Sequence, residues 1–138
     1  MAEEIKQVSY YMSAVPNKVG EGAKVLHALK DAGVNLVAAL GYQKSARNAE
    51  VILVVDAAAP NLAPIAKKVG VVLGKKQKAF LVTGEDRPGA AAELLGKLAG
   101  AGINVISFHG IASGLGRYGA LVAVEAADSR KAAKALGI

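Results

Sequence analysis

Two stretches of this chain repeat one another at a fixed offset of 69 residues. Val15-Pro16-Asn17-Lys18-Val19-Gly20 leads to Ala32-Gly33-Val34-Asn35-Leu36, and Gly84-Glu85-Asp86-Arg87-Pro88-Gly89 leads to Ala101-Gly102-Ile103-Asn104-Val105. Aligned without a gap from Val15 to Tyr42, the copies share eight identities in 28 positions. A chain this rich in Ala and Gly would give about three by chance. The 138 residues therefore read as two copies of one small unit, 1–74 and 75–138. Units of roughly 70 residues bury a modest share of their surface alone, so packing against another copy or another chain is expected.

Each copy opens with an extended segment, Ile5 to Ala14 and Lys78 to Thr83, in which Tyr11-Met12 and Phe80-Leu81 stand at the same offset. A polar loop and a helix follow. Val25, Leu26, Leu29 and Ala32 recur at i, i+1, i+4 and i+7, as do Leu94, Leu95, Leu98 and Ala101, giving one apolar stripe per helix. Gly33 and Gly102 fall just past the stripes, where a left-handed residue closes a helix. Second strands are expected over 34–42 and 103–111, then loops rich in turn formers over 43–48 and 112–119. Third strands follow over 50–56 and 120–125, with unbroken apolar runs typical of strands covered on both faces. Second helices are expected over 61–68 and 129–136, and Val69 to Leu73 reads as a fourth strand of the first copy. This order is the split βαβ, ferredoxin-like α+β arrangement, with antiparallel sheets and helices on one face. The second copy stops at Ile138 without its last strand, leaving a sheet edge for another copy or chain to cover.

The totals narrow the function classes. With no cysteine, disulfides and thiolate metal sites are excluded. The acidic start Met1-Ala2-Glu3-Glu4 lacks an apolar signal segment, and the longest apolar run, Val51 to Val55, is too short to span a bilayer, so a soluble cytoplasmic protein is expected. A net charge of +6 invites a nucleic-acid reading, but aromatic residues make up only 4% of the chain, so stacking platforms are scarce. Lys67, Lys68, Lys75, Lys76 and Lys78 fall where the copies join and read as a solvated linker face.

The segment Asp86-Arg87-Pro88-Gly89 joins strand to helix in the second copy. On local chemistry alone it reads first as a helix start: Asp is a preferred N-cap and Pro fits the first turn. The same loop also suits a ligand. Gly allows close approach to the backbone, free amides at the helix start favour a carboxylate, and Asp86 would meet an ammonium group. Together these demands describe a free amino acid. Asn35 and Asn104 read as strand-entry residues bonding nearby backbone as readily as ligand contacts.

Asp86-Arg87-Pro88-Gly89, the Leu-bearing helix and Ala101-Gly102-Ile103-Asn104-Val105 together resemble the ACT domain, the small regulatory module of amino-acid metabolism. The first copy is similar through Asn17-Lys18-Val19-Gly20 and Ala32-Gly33-Val34-Asn35-Leu36. The resemblance implies a βαββαβ unit of sheet order 4-1-3-2 that pairs side by side with another such unit and holds amino acids at the pair interface. By position it implies ligand contacts from Asp86, Arg87, Pro88 and Gly89 with Asn104, Val105 and Ile106. A second set would be Asn17, Lys18, Val19 and Gly20 with Asn35, Leu36 and Val37. Val19 stands where the second copy has Pro88, so the first site is expected to be the weaker one.

Catalytic constellations are absent from the pattern, and no cofactor or metal is expected. His27 lies beside the first helix stripe as a surface or packing residue, and His109 reads as a structural residue of a strand. Gly114-Leu115-Gly116-Arg117-Tyr118-Gly119 lies between two strands and not before a helix, so it reads as a flexible hairpin loop and not a dinucleotide fingerprint. The expected protein is a non-enzymatic, homodimeric regulator that binds a small amino acid and controls a partner or its own assembly. The rival readings are a ligand-free regulatory subunit of an enzyme of amino-acid metabolism and an RNA-binding ferredoxin-like protein.

Overall fold

The computed structural model describes residues 3–138. Its elements run β1 (Glu4–Pro16), α1 (Glu21–Asp31), β2 (Ala38–Gln43), β3 (Asn48–Asp56), α2 (Ala63–Lys67), β4 (Gln77–Glu85), α3 (Ala90–Gly100), β5 (Val105–Gly114), β6 (Arg117–Val124), a 3₁₀ turn (Ala126–Asp128) and α4 (Ser129–Leu136). The chain forms two compact units: Ser9–Gln77, and the segment through Val8 together with Lys78–Ile138. This differs from a cut at 74/75. The difference is β1, whose N-terminal half folds with the C-terminal part of the chain.

In the unit Ser9–Gln77 the strand order is β2-β3-β1, and β2 and β3 are antiparallel with Ala38 opposite Val54 and Gln43 opposite Ala49. Its core joins Tyr11 and Val15 of β1, Val25 and Leu29 of α1, Leu53 and Val55 of β3, and Leu62, Ala66 and Val71. The apolar stripe of α1 is narrower than its spacing implied: Leu26 is 41% exposed. Val69 to Leu73 is not a strand. Gly70 takes φ 80°, and the Val71 amide reaches back to the Ala66 carbonyl at 3.1 Å, so this stretch closes α2. The residues beyond it run beside β1, where the Ser13 hydroxyl donates to the Val72 carbonyl at 2.8 Å and the Gly74 amide to the Met12 carbonyl at 2.8 Å.

In the other unit the order is β1-β4-β6-β5, and only the part of β1 through Val8 takes part. Strands β4 and β6 are antiparallel with Phe80 opposite Val122, and β5 and β6 with Phe108 opposite Val122. Phe80, Val82, Leu94, Leu98, Val122 and Leu136 form the centre of its core, with Ile5 packed against it. No strand follows α4. The fourth position of the sheet is occupied instead by the chain's own N-terminal segment, which gives the 4-1-3-2 arrangement with its last strand drawn from the start of the chain.

The 69-residue echo extends to the backbone hydrogen bonds. Val34 donates to Leu29 at 2.9 Å and Ile103 to Leu98 at 3.0 Å, each pair closing a helix around a left-handed glycine, Gly33 at φ 74° and Gly102 at φ 73°. Residues Ile52–Val55 and Leu121–Val124 are buried at successive positions, as the unbroken apolar runs required.

Candidate ligand groove at the start of helix α3

The loop 86–89 does not cap α3 in the way its residue types imply. The N-cap position is Gly89, at φ 83° and with no side-chain cap, and the helix begins at Ala90. Asp86 lies three residues before the cap and Pro88 lies in the loop. The reason is backbone geometry: a left-handed residue cannot be part of the helix, so Gly89 delays its start. Gly20, at φ 88°, does the same for α1.

Both loops are fastened at two points. The Asp86 amide donates to Gly116 and the Asn17 amide to Arg47, each at 2.9 Å and each to the turn of the neighbouring hairpin. Further on, Glu93 donates to Gly89 at 2.9 Å and Lys24 to Gly20 at 3.0 Å. The Ala90 amide bonds the Arg87 carbonyl at 3.2 Å. That leaves the amides of Ala91 and Ala92 as the unpaired donors of the first turn.

Beside this loop lies an open groove of about 450 Å³. One wall is Asp86, Arg87, Gly89 and the start of α3, Ala90 to Ala92. The other is Phe108, Gly110, Ile111 and Ala112 of β5, with Tyr118 of β6. Asp86 is exposed, and its carboxylate has no partner among the described residues. Arg87, by contrast, is engaged: its Nη1 donates to Glu93 Oε1 at 3.0 Å, and its Nη2 bonds Glu93 Oε2. The shared bonds hold the Glu93 carboxyl below the usual carboxylate range and raise Arg87 further. The Tyr118 hydroxyl donates to Glu3 Oε2 at 2.7 Å, and burial followed by this bond pushes its pKa up to about 12. Glu3 Oε1 in turn lies 3.7 Å from Lys97 Nζ of α3. A Cβ on Gly84 would stand 2.8 Å from Tyr118 Cε1, so the glycine that opens the second repeat makes room for this ring.

Of the residues singled out in the sequence, Asp86, Arg87 and Gly89 line the groove; Phe108, Ile111 and Tyr118, which also line it, and Glu93 and Glu3, which bond Arg87 and Tyr118, were not singled out. Arg87 and Glu93 are six apart, a spacing no helical pair rule covers. Asn104, Val105 and Ile106 stand at the far end of β5. Val105 pairs with Val124, whereas Ala112 pairs with Tyr118. Along the strand, at roughly 3.4 Å per residue, Ala112 is about 24 Å from Val105, whereas the nearest wall residue, Phe108, is about 7 Å from Ile106. None of Asn104, Val105 and Ile106 lines the groove of their own unit.

In the first copy Asn17 spends its side chain on the Ala46 carbonyl at 3.1 Å, Lys18 and Val19 are exposed, and Gly20 is the N-cap. Asn35 and Leu36 lie in the link before β2, and the Val37 amide already pairs with the Val54 carbonyl at 2.9 Å. His27 is exposed, and His109 is not part of the groove. The expected flexible loop 112–119 is instead a two-residue turn: β5 runs to Gly114 and β6 starts at Arg117, with Leu115 at φ 59° and Gly116 at φ 71°. Both central residues are left-handed, as the tightest hairpins demand.

An α+β unit of this strand order, with a glycine-capped helix beside a groove, defines the class of small ferredoxin-like modules. Residues 79–137 match the family model for the ACT domain. Among solved structures, a protein from Bacteroides thetaiotaomicron is similar at 17% identity and a TM-score of 0.72, over 96% of this chain and 88% of that one. The ligand-free regulatory subunit of aspartate kinase from Thermus thermophilus is similar at 15% identity and a TM-score of 0.66, over 97% and 93%. That of Thermus flavus is similar at 18% identity and a TM-score of 0.62, over 98% and 93%. These likenesses establish the fold. The sequence matches none of the curated proteins it was compared with. Among the described residues no helix is long and apolar enough to cross a membrane.

Proposed function

We propose that the protein is a non-catalytic sensor of a free amino acid, held in the groove between the loop 86–89 and β5. The observation that carries this reading is the conjunction of an unpartnered Asp86 carboxylate with the unpaired amides of Ala91 and Ala92 along one wall of the groove. The carboxylate suits an ammonium group, and the amides at the positive end of α3 suit a carboxylate. A groove of this size falls within the range of small-molecule sites.

In the full site, Asn104, Val105 and Ile106 come from the facing unit of a second copy, which makes the working form a homodimer. The loop Asn17, Lys18, Val19 and Gly20, with Asn35, Leu36 and Val37, is a weaker counterpart, since the Asn17 side chain is already spent on the Ala46 carbonyl of the neighbouring hairpin turn. Ligand binding shifts the association equilibrium and so controls a partner. Two of the similar structures are regulatory subunits of aspartate kinase, which supports an enzyme of amino-acid metabolism as that partner.

The test is a thermal-shift screen of the twenty amino acids at millimolar concentration, matched to affinities of roughly −4 to −8 kcal/mol. At least one amino acid should raise the melting temperature, and Asp86→Asn should remove that rise while the unliganded melting temperature stays put. A flat response to all twenty removes the sensor reading.

A further inference from the structure

The groove beside α3 also carries a statement about which amino acids it takes. Resting on the sensor reading above, we infer that it selects ligands with aliphatic side chains, such as valine, leucine and isoleucine, over charged or hydroxylated ones.

Once the backbone groups of an amino acid are met by Asp86 and the α3 amides, its side chain must lie against what remains of the lining. That remainder is apolar: Ala90 on the helix wall, and Phe108, Ile111 and Ala112 on the strand wall. The cation of the groove lining, Arg87, is occupied by both carboxylate oxygens of Glu93. The Tyr118 hydroxyl is spent on Glu3. Glu85 and Arg117 stand opposite each other on β4 and β6, and each has a partner. An acidic side chain would find no uncommitted cation here. A lysine would find no carboxylate other than Asp86, which its own α-ammonium uses. Within this unit a hydroxyl would trade water for a surface without a spare partner, which costs free energy, and of the residues the facing copy adds, Val105 and Ile106 are apolar and Asn104 alone is polar.

The first copy shows the contrast within the same chain. At the 69-residue offset Phe108, Ile111 and Ala112 correspond to Ala39, Tyr42 and Gln43, and Ala90 corresponds to Glu21. Tyr42 there bonds Glu50 at 2.5 Å. The apolar lining therefore belongs to the second copy and is not a general property of the repeat.

Titration calorimetry on the full chain decides the matter, with valine, leucine and isoleucine set against threonine, lysine and aspartate. Valine and threonine are nearly the same shape, so their ratio isolates the hydroxyl. The aliphatic set should bind at least about tenfold more tightly than the other three, the usual worth of such a difference in an apolar site. Ile111 is 73% exposed, so Ile111→Glu should keep the fold and the melting temperature yet weaken aliphatic binding by at least about tenfold. Tighter or equal binding of threonine, lysine or aspartate overturns the selectivity and leaves the sensor standing. Unchanged aliphatic affinity in Ile111→Glu also overturns it, by placing the side chain elsewhere. Binding of none of the six, together with a flat response to all twenty, ends both readings.

Discussion

The amide of Asp86 donates to the carbonyl of Gly116 at 2.9 Å, fastening the loop that lines the groove to the turn of the β5–β6 hairpin. Asn17 and Arg47 make the same bond 69 residues earlier. The groove wall is thus set by a turn rather than by the helix it precedes, and changes in that turn should be felt in the loop.

Leu115 is the test of this link. It is fully exposed, at 101%, and holds φ 59°, so it gives up conformational ease without gaining burial. Leu115→Asn should raise stability by about 1 kcal/mol in urea unfolding, since Asn-Gly is the preferred pair for such a turn. Hydrogen exchange at the Asp86 amide should slow in the same variant.

Gly89 and Gly84 should respond differently to one methyl group. Gly89 is left-handed with open space around it, so Gly89→Ala should cost about 1 kcal/mol of conformational strain. At Gly84 the methyl would meet the Tyr118 ring, and Gly84→Ala should cost roughly 1–3 kcal/mol as overpacking. Paired denaturation curves check the order.

Tyr118 should make the protein alkali-sensitive. Its folded pKa, about 12, lies above the ordinary tyrosine value of 10, so the folded state holds the proton more tightly. The stabilisation is complete below pH 10 and is lost as pH rises from about 10 to 12. Urea midpoints at pH 9 and 11 should fall in the wild type, and Tyr118→Phe should flatten that fall.

Removal of residues 1–8 should injure the unit formed by Lys78–Ile138. The truncated chain loses Ile5 from the core and Glu3 from Tyr118, and β4 becomes an edge. Amide exchange along β4 should accelerate markedly, with β2 and β3 less affected.

Local geometry was legible in the sequence wherever one residue type answers one backbone need. Gly33 and Gly102 were readable as left-handed helix ends, and Ser129 to Leu136 as a helix with those bounds. The order of elements along the chain was legible in the repeat, and the sheet order came with the resemblance to the ACT domain. What it concealed was non-local or ambiguous. The segment Glu4 to Val8 lies beside a strand some 75 residues further on, and hydrophobic spacing reports only that it is extended and half-buried. Asp-x-Pro-Gly read first as an Asp-capped helix start, and the left-handed φ of Gly89 makes that glycine the N-cap, with no side-chain cap. The strand wall of the groove was missed because Phe108 and Ile111 read as ordinary strand residues until the hairpin brought them opposite the loop.

The divided strand β1 has a bearing on how this chain can be cut. Followed from Lys78 to Ile138 and then on to Glu4 to Val8, the elements of the second unit run in a circularly permuted βαββαβ order. A single break near the joint between the copies would therefore not release two whole modules. It would yield one sheet missing a strand and one fragment carrying a strand it does not use, each with a bare edge open to the other or to aggregation.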